Sequence, residues 1–370
     1  MTNTRGLEGV VAAETELSLV DGERGHLVFR GHWARDLARS RSFEDVAHLL
    51  WTGRLPAPEE AAAWQAQMAA ARTLPEHVFR VIDALPPEMD MMSVVRTAVS
   101  ALGAAQDWPP SLSDAIRFTV AVPTIIAYRH ARSEGRSPVA PRSDLSHVAN
   151  YLYMLTGRDP APEHIRALEA YLVITMEHGM NASTFTARVV TSTQSDMASA
   201  LAAAIGAMKG PLHGGAPAGV MDMLEQIGTP DRAESWIRSA LARGERLMGF
   251  GHRVYKTTDP RALALRDVVM ELAGEDPWFS LATRVEDIAI RLLEEHKPGR
   301  RLYTNVEYWA AAVLRAVGIP KPLYTATFTA SRTVGWTAHI LEQAAHNRLI
   351  RPQSVYVGKM PAILRPQDDV

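Results

Sequence analysis

The sequence contains no cysteine among its 370 residues. This excludes disulfide bonds, thiol nucleophiles and thiolate metal sites, and it agrees with a reducing compartment. The first ten residues, MTNTRGLEGV, lack the apolar stretch of a secretory signal. The apolar runs, such as residues 198–208, are much shorter than the ~20 residues that a membrane span needs. We therefore expect a soluble, cytoplasmic protein.

The chain also has little net charge, because 39 basic residues face 41 acidic ones and the balance is -2. No long-range field attracts nucleic acid or an anionic membrane, so any binding of anions has to be local. The hydrophobic fraction of 47% and the length are those of a globular protein with room for more than one domain. We expect small-molecule ligands, with neither nucleic acid nor membrane as a partner.

Three common catalytic motifs are missing as well. The sequence has no GxxxxGK[ST] phosphate loop, no GxGxxG after a strand, and no GxSxG nucleophile elbow. These absences leave a nucleoside triphosphatase, a dinucleotide-binding fold and an α/β-hydrolase without support.

Strand signals occur only near the N-terminus, where residues 10–30 alternate around an Asp21-Gly22 turn and predict a β-hairpin. Helical patterns dominate afterwards, and Ser42 with Asp45 forms a capping pattern before a helix that should end at Gly53. A helix over 113–132 contains Pro123, where we expect a kink or a break. Further helices are predicted from Pro58 and over 162–178, 196–208, 217–226, 231–243, 260–272, 282–295, 307–316 and 327–347. The fold class is therefore all-α.

Histidines beside glycines are the sharpest local feature. His178 precedes Gly179, His213 precedes two glycines, and His252 follows Gly251 in a run rich in basic residues. Each has a plain structural alternative: a helix C-terminal histidine, a turn histidine and a solvated basic loop. A zinc site is a minor alternative, because the spacing matches no metal signature. Groups that titrate near neutrality, with arginines and no redox apparatus, suit proton transfer on a multiply anionic substrate.

Several motifs resemble those of the citrate synthase family, in the family's order and over nearly the whole chain. They are EHGMNASTFTARV (177–189), KGPLHGGAP (209–217), MGFGHRVYKTTDPRA (248–262), TNVEYW (304–309) and SRTVGWTAHILE (331–342). The resemblance implies a two-domain, all-helical fold with a small N-terminal β-hairpin, working as a homodimer. It places the large domain at 1–215 and 319–370, and the small domain that closes over the cleft at 216–318.

The resemblance also assigns roles to individual residues. It implies that His213, His252 and Glu307 are catalytic, although the family's usual Asn-Val-Asp reads Asn305-Val306-Glu307 here. The implied oxaloacetate contacts are His178, Arg261, Arg332 and Arg351, the last acting in trans on the partner's site. The implied contacts with coenzyme A are Gly249, Phe250, Gly251, Arg253 and Lys256.

The implied reaction is condensation of acetyl-CoA with oxaloacetate, followed by thioester hydrolysis to citrate and coenzyme A. Coenzyme A is then a cosubstrate, with no permanently bound cofactor and no metal. One alternative is 2-methylcitrate synthase acting on propionyl-CoA, because one methylene in a pocket is worth only ~1–3 kcal/mol. Another is a non-catalytic relative that binds citrate or coenzyme A as a regulator, which only the glutamate at 307 favours.

Overall fold

A computed structural model describes residues 5–7, 9–103, 108–213, 216–252, 254–272 and 277–359. Near the N-terminus it has an antiparallel sheet of three short strands, β1 (Ser18–Asp21), β2 (His26–Phe29) and β3 (His32–Trp33), in the order β1-β2-β3. Val20 lies opposite Leu27 across the first pair. The predicted hairpin is confirmed, while β3 was not predicted.

Helices make up most of the described chain, which confirms the all-α class. They are α1 (Ala34–Ser40), α2 (Phe43–Thr52), α3 (Pro58–Ala70), α4 (Glu76–Ala84), α5 (Met91–Leu102), α6 (Leu112–Ser133), α7 (His147–Thr156), α8 (Pro162–Thr175), α9 (Ala182–Ser192), α10 (Met197–Lys209), α11 (Ala216–Ile227), α12 (Ala233–Ala242), α13 (Pro260–Leu272), α14 (Pro277–His296), α15 (Val306–Ala316) and α16 (Tyr324–Ala345). The sequence did not predict α1, α4, α5, α7 or α9.

Capping residues fix several of these boundaries. The Ser42 side chain accepts from the Asp45 N–H at 3.1 Å, and α2 ends at Gly53 with φ 86°, as its sequence predicted. The Asp196 carboxylate accepts from the Ser199 N–H at the start of α10 in the same way. Local chemistry therefore explains where these helices begin and end.

The helix does not break at Pro123, and the kink that we also considered there stays a prediction. Helix α6 continues through this residue from Leu112 to Ser133. A proline inside a helix removes one backbone hydrogen bond and costs about 3 kcal/mol. Pro123 lies in a long buried stretch of α6, so tertiary packing offsets that cost.

Helix α16 is the central element on which the candidate site is built. It is buried along most of its length and packs against α2, α6, α8, α9 and α10. Gly335 permits a close approach to the turn after α8, since a Cβ at this position would lie 2.4 Å from the Met176 carbonyl oxygen. The central helix thus lies directly against the segment that carries His178.

No helix in the described ranges is both long and apolar enough to cross a membrane. The boundaries at 216 and 318 that we expect for the small domain stay a prediction.

Candidate active site

One cavity, with a volume of about 840 Å³, collects most of the residues singled out in the sequence. Its walls include the side chains of His178, His213, His252, Arg261, Glu307 and Arg332. These residues are far apart in the chain and come from the turn after α8, the turn after α10, the loop before α13, the first turns of α13 and α15, and the middle of α16. The remaining walls are formed by residues 6, 7 and 10–13, by Leu212 and Val254, and by side chains around α9 and α16.

His178 lies in the turn after α8 and is held by a tyrosine. Its Nε2 is 3.0 Å from the Tyr255 hydroxyl, and its ring meets that of His252 edge to face, with centroids 5.8 Å apart. The neighbouring Glu177 is fully buried, and its Oε1 accepts from the Gly179 N–H and from Ser18 Oγ. Both flanks of His178 are therefore anchored by hydrogen bonds.

The proton on His252 can be assigned from its neighbours. Nδ1 accepts from the backbone N–H groups of Val254, at 3.1 Å, and Tyr255, at 3.2 Å. The single proton of the neutral ring is therefore on Nε2. Nε2 is only 3.2 Å from Arg261 Nη2, which can only donate. Two donors that face each other without an acceptor form a ready site for an anionic or carbonyl oxygen.

Arg261 is held rigidly at the start of α13 by Asp259. The Asp259 carboxylate accepts from Arg261 Nε at 3.0 Å and from Nη2 at 2.8 Å, and both side chains are buried. Asp259 also accepts from the backbone N–H groups of Arg261 and Val306. One carboxylate thus ties the start of α13 to the residue preceding Glu307.

Glu307 occupies the first turn of α15, where the Asn305 side chain accepts from its backbone N–H at 3.1 Å. Burial raises the pKa of its carboxyl to about 7, against the opposing effect of the Arg261 charge. A carboxyl that titrates near neutrality and opens on the cavity is suited to taking up and releasing a proton.

His213 contacts a hydroxyl that is itself fixed by two other groups. Its Nε2 is 2.7 Å from Ser183 Oγ, which accepts from Trp336 Nε1 at 3.0 Å and lies 2.8 Å from Asn181 Oδ1. The Ser183 hydroxyl has one proton to donate and two acceptors within reach. When it donates to His213, the ring carries its own proton on Nδ1.

Arg332 projects from the buried middle of α16. Its Nε donates to the Thr175 carbonyl oxygen at 2.8 Å, and its guanidinium lies over the Phe328 ring, 4.8 Å from the centroid. Burial lowers the pKa of Arg332 to about 10, which still leaves it charged at neutral pH.

The three imidazoles are neutral at physiological pH. Burial and then the Arg261 charge lower the pKa of His252 to about 4. Burial also lowers the pKa of His178, and the charge of Arg261 is the second cause. For His213, burial again lowers the pKa most, and the charge of Arg332 is the second cause. The cavity therefore combines neutral hydrogen-bonding rings with two fixed cations, an arrangement that favours a dianion.

Arg351 and the residues predicted to contact coenzyme A do not line this cavity in the part of the chain that the structure describes. Arg351 is exposed after α16, and the cavity walls in the described part of the chain do not include it. The same holds for Lys256 and for Gly249–Gly251, where Phe250 is buried and pairs with Thr304. Arg253 lies outside the described residues.

Sequence reasoning missed Tyr255, Asp259 and Ser183. A signal was available only for Asp259, because an aspartate directly before a proline is a typical helix start. Tyr255 and Ser183 act through contacts across the fold, which the sequence does not reveal. Over the described ranges, no three His, Asp or Glu side chains converge as ligands of a metal ion would.

Comparison with known proteins places this geometry in a family. The family model described as "Citrate synthase, C-terminal domain" matches residues 6–353. The citrate synthase of Deinococcus radiodurans is 40% identical over 363 residues, covering 96% of this chain and 95% of the relative. A 2-methylcitrate synthase of Mycobacterium tuberculosis is also 40% identical, covering 97% of this chain and 92% of the relative.

Solved structures agree with the fold. Citrate synthase from Thermotoga maritima aligns with a TM-score of 0.86 at 39% identity, covering 98% of each chain. A ternary complex of citrate synthase from Thermoplasma acidophilum, containing carboxymethyl coenzyme A and oxaloacetate, aligns with a TM-score of 0.88 at 31% identity, again covering 98% of each chain. Because its fold and nearly its full length are matched, this chain belongs to the citrate synthase family.

Proposed function

We propose that this enzyme condenses oxaloacetate with acetyl-CoA and then hydrolyses the product thioester to citrate and coenzyme A. The observation that carries the proposal is the pair of facing donors, His252 Nε2 and Arg261 Nη2, 3.2 Å apart in a cavity with a second buried arginine. Such a site needs an acceptor oxygen between the donors, and oxaloacetate offers a ketone and two carboxylates.

Oxaloacetate binds through the fixed cations. Arg261 and Arg332 pair with its carboxylates, His178 contacts it from the turn after α8, and His252 donates from Nε2 to the ketone oxygen. The buried guanidinium groups support this assignment, because charge-assisted contacts are strong and directional away from water. The hydrogen bond from His252 strengthens as negative charge develops on the ketone oxygen.

The acyl-CoA methyl group is a weak acid, so its proton is removed only if the enolate oxygen is stabilised at the same time. Glu307 accepts this proton, and a pKa of about 7 supports the role, because it leaves much of the carboxyl ionised at neutral pH. His213 donates from Nδ1 to the thioester oxygen while Ser183 donates to its Nε2.

The new carbon–carbon bond joins the former methyl carbon to the ketone carbon, and the ketone oxygen gains a proton. Water then attacks the thioester carbonyl, the carbon–sulfur bond breaks, and coenzyme A leaves as the thiol. Gly249, Phe250 and Gly251 belong to the loop that contacts coenzyme A, and Lys256 offers its charge to the phosphates. The Gly251 N–H and the Gly249 carbonyl oxygen are paired with Tyr303 and Asn305, so they fix the shape of this loop. Arg253 has the same proposed role.

The working unit is a homodimer in which Arg351 enters the partner's cavity. Its exposure and its absence from the cavity walls of its own chain support this proposal. The segment after it also exposes apolar side chains, with Val355 at 76% and Val357 at 93% relative exposure. Exposed apolar residues beside a functional arginine are typical of a segment that packs on another subunit.

The experiment is a thiol-release assay with oxaloacetate and either acetyl-CoA or propionyl-CoA. We expect acetyl-CoA to give the higher kcat/KM. In Glu307→Gln, which keeps the shape but loses the charge, kcat should fall at least ~100-fold while oxaloacetate still binds. A Gln variant that retains more than a tenth of the wild-type kcat would exclude Glu307 as the base.

The two alternatives give different results in the same assay. A higher kcat/KM with propionyl-CoA identifies a 2-methylcitrate synthase. Binding of citrate or coenzyme A without release of thiol identifies a non-catalytic regulator.

A further inference from the structure

The N-terminal β-hairpin contacts two of the three histidine-bearing segments of the cavity. In β1, Ser18 Oγ donates to Glu177 beside His178 at 2.9 Å, and a Cβ at Gly179 would lie 3.1 Å from Val20 Cγ2. The hairpin turn, residues 21–25, packs on the His252 segment, which we define as His252 with residues 254–258. No residue of this hairpin is among those to which the resemblance gives a role.

The contact between the turn and the His252 segment is unusually close. The Gly22 carbonyl oxygen accepts from the Lys256 N–H at 2.9 Å. A Cβ at Gly22 would lie 2.1 Å from the Val254 carbonyl oxygen, and one at Gly25 would lie 2.7 Å from Thr257 Cγ2. Gly22 does not have a positive φ, so the backbone conformation does not require glycine here. Glycine is needed because a side chain would not fit between the turn and Val254.

This contact reaches the imidazole of His252 in one further step. Val254, which touches Gly22, and Tyr255 supply the N–H groups that His252 Nδ1 accepts. Those two hydrogen bonds fix the proton on Nε2, the atom that faces Arg261. The turn is thus one contact away from the hydrogen bonds that decide which nitrogen of His252 can donate into the cavity.

We propose that Gly22 is a positioning residue, which holds the His252 segment so that His252 presents Nε2–H to the substrate ketone. The part of this proposal that concerns the substrate ketone rests on the proposed function. The tautomer of His252 can be measured without any substrate. The hairpin turn is then a part of the active-site scaffold.

The first test is Gly22→Ala, whose methyl group would have to push Val254 away by about 1 Å. A misplacement of about 1 Å can cost ~100-fold in rate, so kcat/KM for oxaloacetate should fall about 100-fold. In ¹⁵N-histidine NMR, with His252 assigned from a His252→Gln sample, the wild type should show an unprotonated Nδ1. Gly22→Ala should show a mixture of tautomers.

Two further variants keep the test decisive. Asp21→Ala loosens the turn without a clash, because Asp21 Oδ1 accepts from the N–H groups of Glu23 and Arg24. It should lower kcat/KM less than Gly22→Ala does. If Gly22→Ala does not fold, this variant tests whether the turn positions His252. Glu23→Ala removes an exposed side chain of the same turn and should stay within twofold of wild type.

A folded Gly22→Ala with wild-type kcat/KM and an unchanged His252 tautomer would overturn the proposal. If the wild-type protein has no condensing activity, the proposed function fails. The tautomer of His252 in the wild type and in Gly22→Ala still decides whether the turn positions that ring.

Discussion

At the scale of single residues, the replacement of the family's usual aspartate by Glu307 is the feature with the most direct consequences. The side chain is one methylene longer, and hydrogen bonds hold the backbone that carries it. Asn305 caps its backbone N–H, and Asp259 anchors the preceding residue. The backbone around Glu307 is therefore well fixed, and its ionisation can be predicted.

The acid side of the pH profile should report Glu307. Its pKa is raised to about 7 while that of His252 is lowered to about 4, so of these two groups only the glutamate changes charge between pH 5 and 8. Because the base works as the carboxylate, kcat/KM for acetyl-CoA should rise with pH through about 7 and level off above it. A profile that is flat from pH 5.5 to 8 would contradict this assignment.

The same carboxylate should cost stability. Its pKa in the folded protein is above the ordinary 4.5, so the folded state prefers the protonated carboxyl. The stability that this group contributes is therefore fully present below pH 4.5, and it is lost as the pH rises through about 7. Glu307→Gln should therefore raise the free energy of unfolding at pH 8 by about 1–3 kcal/mol. In urea denaturation the difference should shrink towards pH 4.5, and equal stabilities at pH 8 would refute the prediction.

At the scale of elements, the close packing of α16 on the turn after α8 shapes the site. A Cβ at Gly335 would lie 2.4 Å from the Met176 carbonyl oxygen and 2.6 Å from Glu177 Oε2. Gly335→Ala should lower the free energy of unfolding by about 2–3 kcal/mol, because a packed core tolerates little added volume. Gly206→Ala on α10 is the matched control, since the nearest atom is 3.9 Å from its Cβ position.

The control should be neutral or stabilising by up to about 1 kcal/mol, through helix propensity alone. Similar urea midpoints for both variants would mean that α16 does not need its close contact with residues 176–177.

At the scale of the whole molecule, the proposed exchange of Arg351 between subunits can be tested by complementation. His213→Ala and Arg351→Ala should each be nearly inactive as homodimers. Refolded together in equal amounts, about half of the dimers are mixed by random pairing. One site in each mixed dimer then has both intact residues, so about a quarter of all sites should regain thiol-release activity.

If Arg351 served its own chain, every site in the mixture would carry a defect. Activity no higher than that of the separate variants, with subunit exchange verified by mass spectrometry, would therefore exclude action in trans.

The sequence by itself determined the class of the fold, the hairpin and many helix boundaries, because capping residues, turns and periodicity act over a few neighbouring residues. Its ordered motifs also pointed to the family and to six side chains that meet in the cavity. The missed helices α5 and α9 do begin at capping residues, Asp90 and Asn181, so a start signal was present in the sequence but was not interpreted as one. Pro123 does not break α6, because local propensity does not include the packing of the buried stretch around it.

Only the tertiary structure decided the electrostatics and the supports of the site. The pKa of about 7 for Glu307 comes from burial by several elements, and the proton of His252 is assigned by backbone groups of its folded loop. Tyr255, Ser183 and the contact of Gly22 with Val254 all join segments that are distant in the chain. Such contacts depend on how the helices pack together, so no local pattern in the sequence predicts them.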